Sequence, residues 1–243
     1  ATIAIGVACL LAVPMYVTAG AMPDMLPILL LGLLALVPVS DAAIALVNFI
    51  VTNQHRPSVL PGMELRDGVP TNLRTLVVVP IMLSCAEDID EHVAQLEVRY
   101  LASGEGDLYF ALLSDWTDAG SESVPGDGEL LAAAVGGIRR LNQQHAAGIG
   151  GDRFLLLHRR RVWNAGEGEW IGWERKRGKL HELNRLLRGA TDTTYMAIDG
   201  RPPVVPADVR CVITLDADTR LPRGTARRLV GKLAHPLNHP RLD

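Results

Sequence analysis

Cysteine is scarce in this chain, with only Cys9, Cys85 and Cys211 among 243 residues. Three scattered thiols exclude a disulfide framework and a zinc site, and read most simply as unpaired thiols in a reducing compartment. Positive charge is absent from a whole region. Between Ala1 and Val51 there is no Lys or Arg, and the only charged residues are Asp24 and Asp41. With no basic segment ahead of the first apolar run, and a second run following at once, a secretory signal peptide does not fit. Internal repeats and low-complexity segments are also lacking.

What the first 51 residues do contain is two apolar runs, TIAIGVACLLAVPMYVTAGAM and LPILLLGLLALVPVSDAAIALVNFIV. Each has the length that spans a bilayer, roughly 20 residues at 1.5 Å rise. Pro and Asp around Asp24 suit a turn between them, so a transmembrane helical hairpin is predicted over 1–51. The formal net charge of −3 hides the asymmetry that follows, where Arg56, Arg66 and Arg74 come after the second run. By the positive-inside rule the remaining chain then faces the cytoplasm. Asp41 is costly within such a span, about 2.5–3.5 kcal/mol at mid-membrane. Ser40, a neighbouring helix or a shallow position is expected to satisfy it.

Residues 52–72 carry three Pro and two Gly without periodicity and read as a linker. From residue 73 onward strand and helix patterns alternate. RTLVVVP is a strand expected to stop at Pro80, CAEDIDEHVAQLEVRYLA a helix with Ile89, Val93, Leu96 and Tyr100 on one face, and DLYFALLSD a strand ending at Asp115. DGELLAAAVGGIRRLNQQH, DRFLLLHR, KLHELNRLLRG, VRCVITLD and RGTARRLVGKLA continue as helix, strand, helix, strand, helix. This order indicates an α/β domain with a mostly parallel, doubly wound sheet. Ligands bind such sheets at the strand C-termini. Asp115, Asp216 and Asp218 all fall there.

Asp216 and Asp218 close an apolar, β-branched run. In extended chain, positions i and i+2 point the same way, so two like charges would share one small volume. A divalent cation relieves that repulsion, and oxygen ligands suit Mg²⁺ or Mn²⁺. Two rival motifs fail on Arg220, which stands where a haloacid-dehalogenase phosphatase needs Thr or Val and a calcium EF-hand loop needs a third acidic ligand.

Arg175, Lys176, Arg177 and Lys179 crowd a helix start around Gly178. Cations are unfavourable there unless an anion is bound, held by the dipole, free N–H groups and ammonium groups together. A diphosphate fits. A solvated basic face or a nucleic-acid contact competes, although the acidic overall charge and nearby carboxylates argue against nucleic acid as a partner. Metal carboxylates, an anion cradle and a separate Asp115 able to accept hydrogen bonds from base or ribose make a minimal site for a nucleotide-diphosphate sugar. Trp163, Trp170 and Trp173 lie close in sequence and read equally as a sugar-stacking platform or as loop packing. His158 and His181 have no partner at metal-ligand spacing and read as structural or surface residues.

The order LVVVP, ALLSDWTDA, WERKRGKLHELNRLLRG and VITLDADTRLP resembles the processive glycosyltransferases of the GT-A fold, a Rossmann-like nucleotide-diphospho-sugar transferase architecture. It is particularly similar to the cyclic β-1,2-glucan synthases, glycosyltransferase family 84. The resemblance implies UDP-glucose as donor, a growing β-1,2-glucan as acceptor, inversion at the anomeric carbon, and a bacterial inner-membrane location in contact with the lipid bilayer. It places metal binding (Mg²⁺ or Mn²⁺) on Asp216 and Asp218, and donor binding on Asp115, Lys176, Arg177, Gly178 and Lys179. It also implies that 73–243 is the N-terminal part of a truncated GT-A domain, with the general base expected beyond Asp243. The alternative is a non-catalytic nucleotide-sugar-binding or membrane-assembly fragment.

Overall fold

A computed structural model describes residues 25–54 and 59–238, in two compact units. The first predicted membrane helix and the turn around Asp24 lie outside the described residues. The second forms helix α1, Met25–Gln54. Pro38 sits inside it, where it removes one helical N–H. Exposed Leu33, Leu34, Leu36, Leu46, Phe49 and Ile50 leave it apolar on all sides, the pattern of a helix that needs a non-aqueous surround. The stretch Leu33–Gln54 is long and apolar enough to cross a membrane. Ser40 does not serve Asp41, because its hydroxyl donates to the Val37 carbonyl at 2.7 Å.

The second unit runs from Leu60. Its elements are β1 (Thr75–Leu83), α2 (Ala86–Ser103), β2 (Leu108–Trp116), α3 (Asp127–Gln144) and β3 (Phe154–Arg159). A short hairpin of β4 (Val162–Asn164) and β5 (Glu169–Ile171) follows, then α4 (Arg175–Leu187), β6 (Cys211–Thr214) and α5 (Thr225–Leu233). Four parallel strands form one sheet in the order β3-β2-β1-β6.

Both faces of the two central strands are covered, which is why they read as continuous apolar runs rather than alternating ones. Val77, Val79, Ile81 and Leu83 of β1 turn to one face, where Ile89, Val93 and Leu96 of α2, Ile138 and Leu141 of α3, and Val230 of α5 pack on them. Leu76 and Val78 turn to the other face and meet Leu183 of α4 and Tyr195. Each such fully buried aliphatic or aromatic side chain stabilises by about 1.5–3 kcal/mol relative to exposure. The chain winds outward from β1 to β3 and then returns past β1 to β6. The crevice at the carboxyl ends of β1 and β6 is therefore the topological switch point.

Three expectations need correction. Pro80 does not end its strand, because β1 continues to Leu83. The Val78 carbonyl accepts from Leu215 N at 2.9 Å on the β6 side. Two residues on, Pro80 presents its nitrogen the same way, beyond the last residue of β6, where no ladder bond is lost. The β4–β5 hairpin was expected as loop; Trp163 pairs with Trp170 across it. The segment read as linker is helical up to Gln54 and joins the α/β unit from Leu60, where Val69 is part of the core.

Candidate functional site

At the end of β2, Asp115 is buried and fully engaged. Arg159, at the end of neighbouring β3, donates from Nε to Oδ1 at 2.7 Å and from Nη2 to Oδ2 at 2.8 Å. Lys179 of α4 places its Nζ 3.0 Å from Oδ2 and donates to the Ile81 carbonyl at 2.6 Å. Glu182, three positions on and on the same face of α4, lies 3.8 Å from Arg159 Nη1 and accepts from Thr194 N and Oγ1. Tyr195 donates its hydroxyl to the Lys179 carbonyl at 2.9 Å. Two anions and two cations thus lock β1, β2, β3 and α4 together at the carboxyl edge. Burial pulls the Lys179 ammonium below its usual pKa, with Asp115 opposing. For Arg159 burial also works downward, but the Asp115 carboxylate outweighs it and raises the guanidinium.

The start of α4 is pressed against this network. Gly178 is required by space, since a Cβ there would come within 1.9 Å of the Trp173 carbonyl. Glu174 and Arg175, the cap and first residue of α4, both take positive φ, 50° and 42°. Such non-glycine strain costs on the order of 1–3 kcal/mol per residue and persists only where the surroundings enforce it. Here the Arg159 Nη2 bonds to the Trp173 and Arg175 carbonyls, at 3.0 and 3.2 Å, do so. The remaining cations point outward, each toward one carboxylate: Arg175 to Asp118, Lys176 to Asp216, and Arg177 to Glu174.

Asp216 and Asp218 do not lie in extended chain. β6 stops at Thr214, and a turn follows in which Thr219 N donates to the Asp216 carbonyl at 3.0 Å. The turn is held from below by Arg99 of α2, a buried side chain that sequence reasoning missed. Its Nη2 donates to the Ala217 and Thr219 carbonyls at 2.5 and 3.1 Å, and its Nε to Thr219 at 3.3 Å. Burial lowers the Arg99 pKa, and Asp218 draws it back up. Arg99 looked like an ordinary polar residue among the apolar positions of its helix, and only its place beside Leu96 and Tyr100 marked it. Both carboxylates of the turn are exposed, Asp216 at 60% of its side chain.

The structure therefore brings Lys176 and Asp216 together across the switch point and sets Asp115 and Lys179 in one buried cluster. Arg177 is left on the surface. No group of three or more His, Cys, Asp or Glu side chains in metal-binding array occurs among the described residues. The two exposed carboxylates of the turn are oxygen donors of the kind a hard cation takes, and among the described residues Lys176 is the cation paired with Asp216. His158, by contrast, is structural in its setting. It is buried, shares a 2.8 Å hydrogen bond with Ser114 Oγ, and meets the Trp116 ring edge-on at 4.2 Å between centroids. Burial lowers its pKa to about 4.

No family model matches the chain. The resemblance read from the motifs is nevertheless borne out by direct comparison. The chain is 48% identical over 227 residues, 93% of its length, to the cyclic beta-(1,2)-glucan synthase NdvB of Rhizobium meliloti (strain 1021), and it spans 8% of that protein.

Proposed function

We propose that this chain supplies the donor side of a glucosyltransferase that moves glucose from UDP-glucose to a growing β-1,2-glucan. The observation that carries this reading is the identity to a cyclic β-(1,2)-glucan synthase, which includes the segments forming the switch-point crevice. Asp216 and Asp218 would hold Mg²⁺ or Mn²⁺, which would supply positive charge to neutralise the diphosphate leaving group. The Lys176 ammonium, at the dipolar start of α4, and the backbone N–H groups of Lys176 and Arg177 receive the phosphate oxygens. Asp115 and Lys179 act from behind, by fixing the edge of β2 against α4. Arg177, exposed at the same helix start, adds a second cation within reach of the diphosphate, and Gly178 serves by letting α4 seat against the Trp173 carbonyl. Inversion follows when an acceptor hydroxyl oxygen attacks C1 from the face opposite the diphosphate, its proton passing to a general base that is not among these donor residues, as the C1–O bond to UDP breaks.

α1 anchors the protein in the bacterial inner membrane, with the α/β unit in the cytoplasm. A cysteine placed at Asp24 is then labelled by a membrane-impermeant thiol reagent in intact cells, and Cys85 is not.

The direct test is UDP titration of the full chain with and without Mn²⁺, followed by product analysis from labelled UDP-glucose. Manganese-dependent UDP binding and a β-1,2-linked product support the reading. Absence of any metal-dependent UDP binding refutes it.

A further inference from the structure

Beside the start of α4 lies a cleft of about 600 Å³, walled by the β4–β5 hairpin on one side and by Trp173, Glu174 and Arg175 on the other. The size falls within the range of small-ligand sites, about 300–1,000 Å³. Two of its walls are indoles left open to solvent, Trp163 at 54% and Trp173 at 43% exposure. Large exposed aromatics with no apolar cover are uncommon on a surface that only has to be solvated, and paired with polar groups they mark ligand contact. Trp170, the third indole of this segment, does not line the cleft. It fixes the hairpin instead, through paired backbone bonds with Ala119 at 2.8 and 3.0 Å and an edge-on contact with Trp163.

We propose that this cleft binds the glucan, with Trp163 and Trp173 stacking on the C–H faces of glucosyl rings. The charges select the occupant. Arg175 is already paired with Asp118, and Glu174 with Arg177. Glu167 has no salt bridge among the described residues. A free carboxylate repels phosphate and accepts hydroxyl donors, so the cleft favours a neutral polyol over a nucleotide. The position is also fixed relative to the donor residues. Gly172 packs against Asp115, where a Cβ would lie 2.5 Å from Oδ2, and Trp173 gives its carbonyl to Arg159. Three residues on, Lys176 reaches Asp216. One rigid segment thus carries a sugar-stacking face and the donor contact.

This assignment rests on the proposed glucosyltransferase, and its test separates the two. Binding of a linear β-1,2-gluco-oligosaccharide to the full chain is followed by calorimetry without donor, and UDP–Mn²⁺ binding is measured in parallel. Trp163→Ala and Trp173→Ala are each expected to weaken oligosaccharide binding by about tenfold or more, the scale of an aromatic hot spot. Trp173→Phe restores most of it, and UDP binding stays within twofold of the parent, roughly 0.4 kcal/mol. In turnover, KM for the acceptor rises while KM for UDP-glucose holds. Trp163 is on an exposed hairpin, so its loss does not threaten folding. If the tryptophan variants weaken UDP and spare the oligosaccharide, the cleft belongs to the nucleotide and the proposal fails. Unchanged binding of both ligands overturns it equally, because the indoles are then only surface packing. Loss of UDP binding in the parent chain, with oligosaccharide binding intact, would sink the donor reading and leave the cleft standing.

Discussion

Two strands of the same sheet carry aspartate at or just past their carboxyl ends, and the two ends are built oppositely. At the end of β2, Asp115 is buried, bonded twice by Arg159 and once by Lys179. Just past the end of β6, Asp216 and Asp218 sit on an exposed turn, where among the described residues Lys176 alone pairs with Asp216. The first end has exchanged solvent for protein charges, and its carboxylate has little capacity left for a ligand. The second keeps its carboxylates in water, where a cation can take them at low desolvation cost. One carboxylate sets the frame and the other two face outward.

The largest way to break the comparison is to neutralise the buried end. Removing one partner of a buried pair leaves uncompensated charge and costs about 3–5 kcal/mol. Asp115→Asn should therefore lower the urea midpoint of the α/β unit by a matching amount, and Asp216→Asn should leave it within about 0.5 kcal/mol of the parent. Equal destabilisation by both would show that the two ends are not different in kind.

Next in size is a pH effect at the buried end, where His158 lies on β3 beside Ser114 and Trp116. Its folded pKa is about 4, below the ordinary 6.5. Between those values the unfolded chain takes up a proton that the folded chain refuses. Stability is thus fully present above pH 6.5 and is lost as pH falls through 4. The loss is on the order of 3 kcal/mol for this group. His158→Gln should flatten that part of the pH–stability curve relative to the parent. An unchanged difference between the two proteins from pH 7 to pH 4 would remove His158 from the account.

How far these two ends could be read in the sequence differs for physical reasons. The parallel sheet was legible, because β1 and β2 are buried on both faces and write themselves as apolar runs, and because Ile89, Val93 and Leu96 recur at helical spacing. The carboxyl edge was legible too, since Asp115, Asp216 and Asp218 all follow such runs. What could not be read was partnership. Arg159 and Lys179 are 44 and 64 positions from Asp115, and only the register of β2 on β3 and the seating of α4 bring them together. The spacing of Asp216 and Asp218 suggested a shared extended face, whereas the carbonyls gathered by Arg99, more than a hundred residues away, bend that stretch into a turn. Pro80 misled because its effect depends on whether a neighbouring strand extends that far.

A smaller effect tests what shapes the open end. Arg99 serves several carbonyls of the turn from one planar fork, which a lysine ammonium cannot reproduce. Arg99→Lys keeps the charge and loses hydrogen bonds to part-buried carbonyls, at about 1–3 kcal/mol. Because Arg99 positions the proposed metal ligands, the substitution should also weaken the Mn²⁺ affinity read in UDP binding by roughly 10–100-fold. A variant that melts earlier but keeps its Mn²⁺ affinity would make Arg99 purely structural.

The smallest effect on stability is expected from the exposed carboxylates, and here the sharpest distinction lies in binding. Both Asp216→Asn and Asp218→Asn should leave the melting midpoint within about 0.5 kcal/mol of the parent, as surface substitutions do. Both should abolish the metal-dependent part of UDP affinity, whereas Asp192→Asn, paired with Arg185 on the far end of α4, should not touch it. The two site variants then diverge. Lys176 is paired with Asp216 and not with Asp218. Asp216→Asn releases that ammonium, so metal-free UDP binding should rise slightly as Lys176 becomes available to a phosphate oxygen. Asp218→Asn leaves the pair intact and should produce no such gain. UDP titrations in chelator and in Mn²⁺ separate the two contributions for each variant. If Asp216→Asn and Asp218→Asn behave identically in chelator, Lys176 is not the residue that a bound cation sets free for the diphosphate.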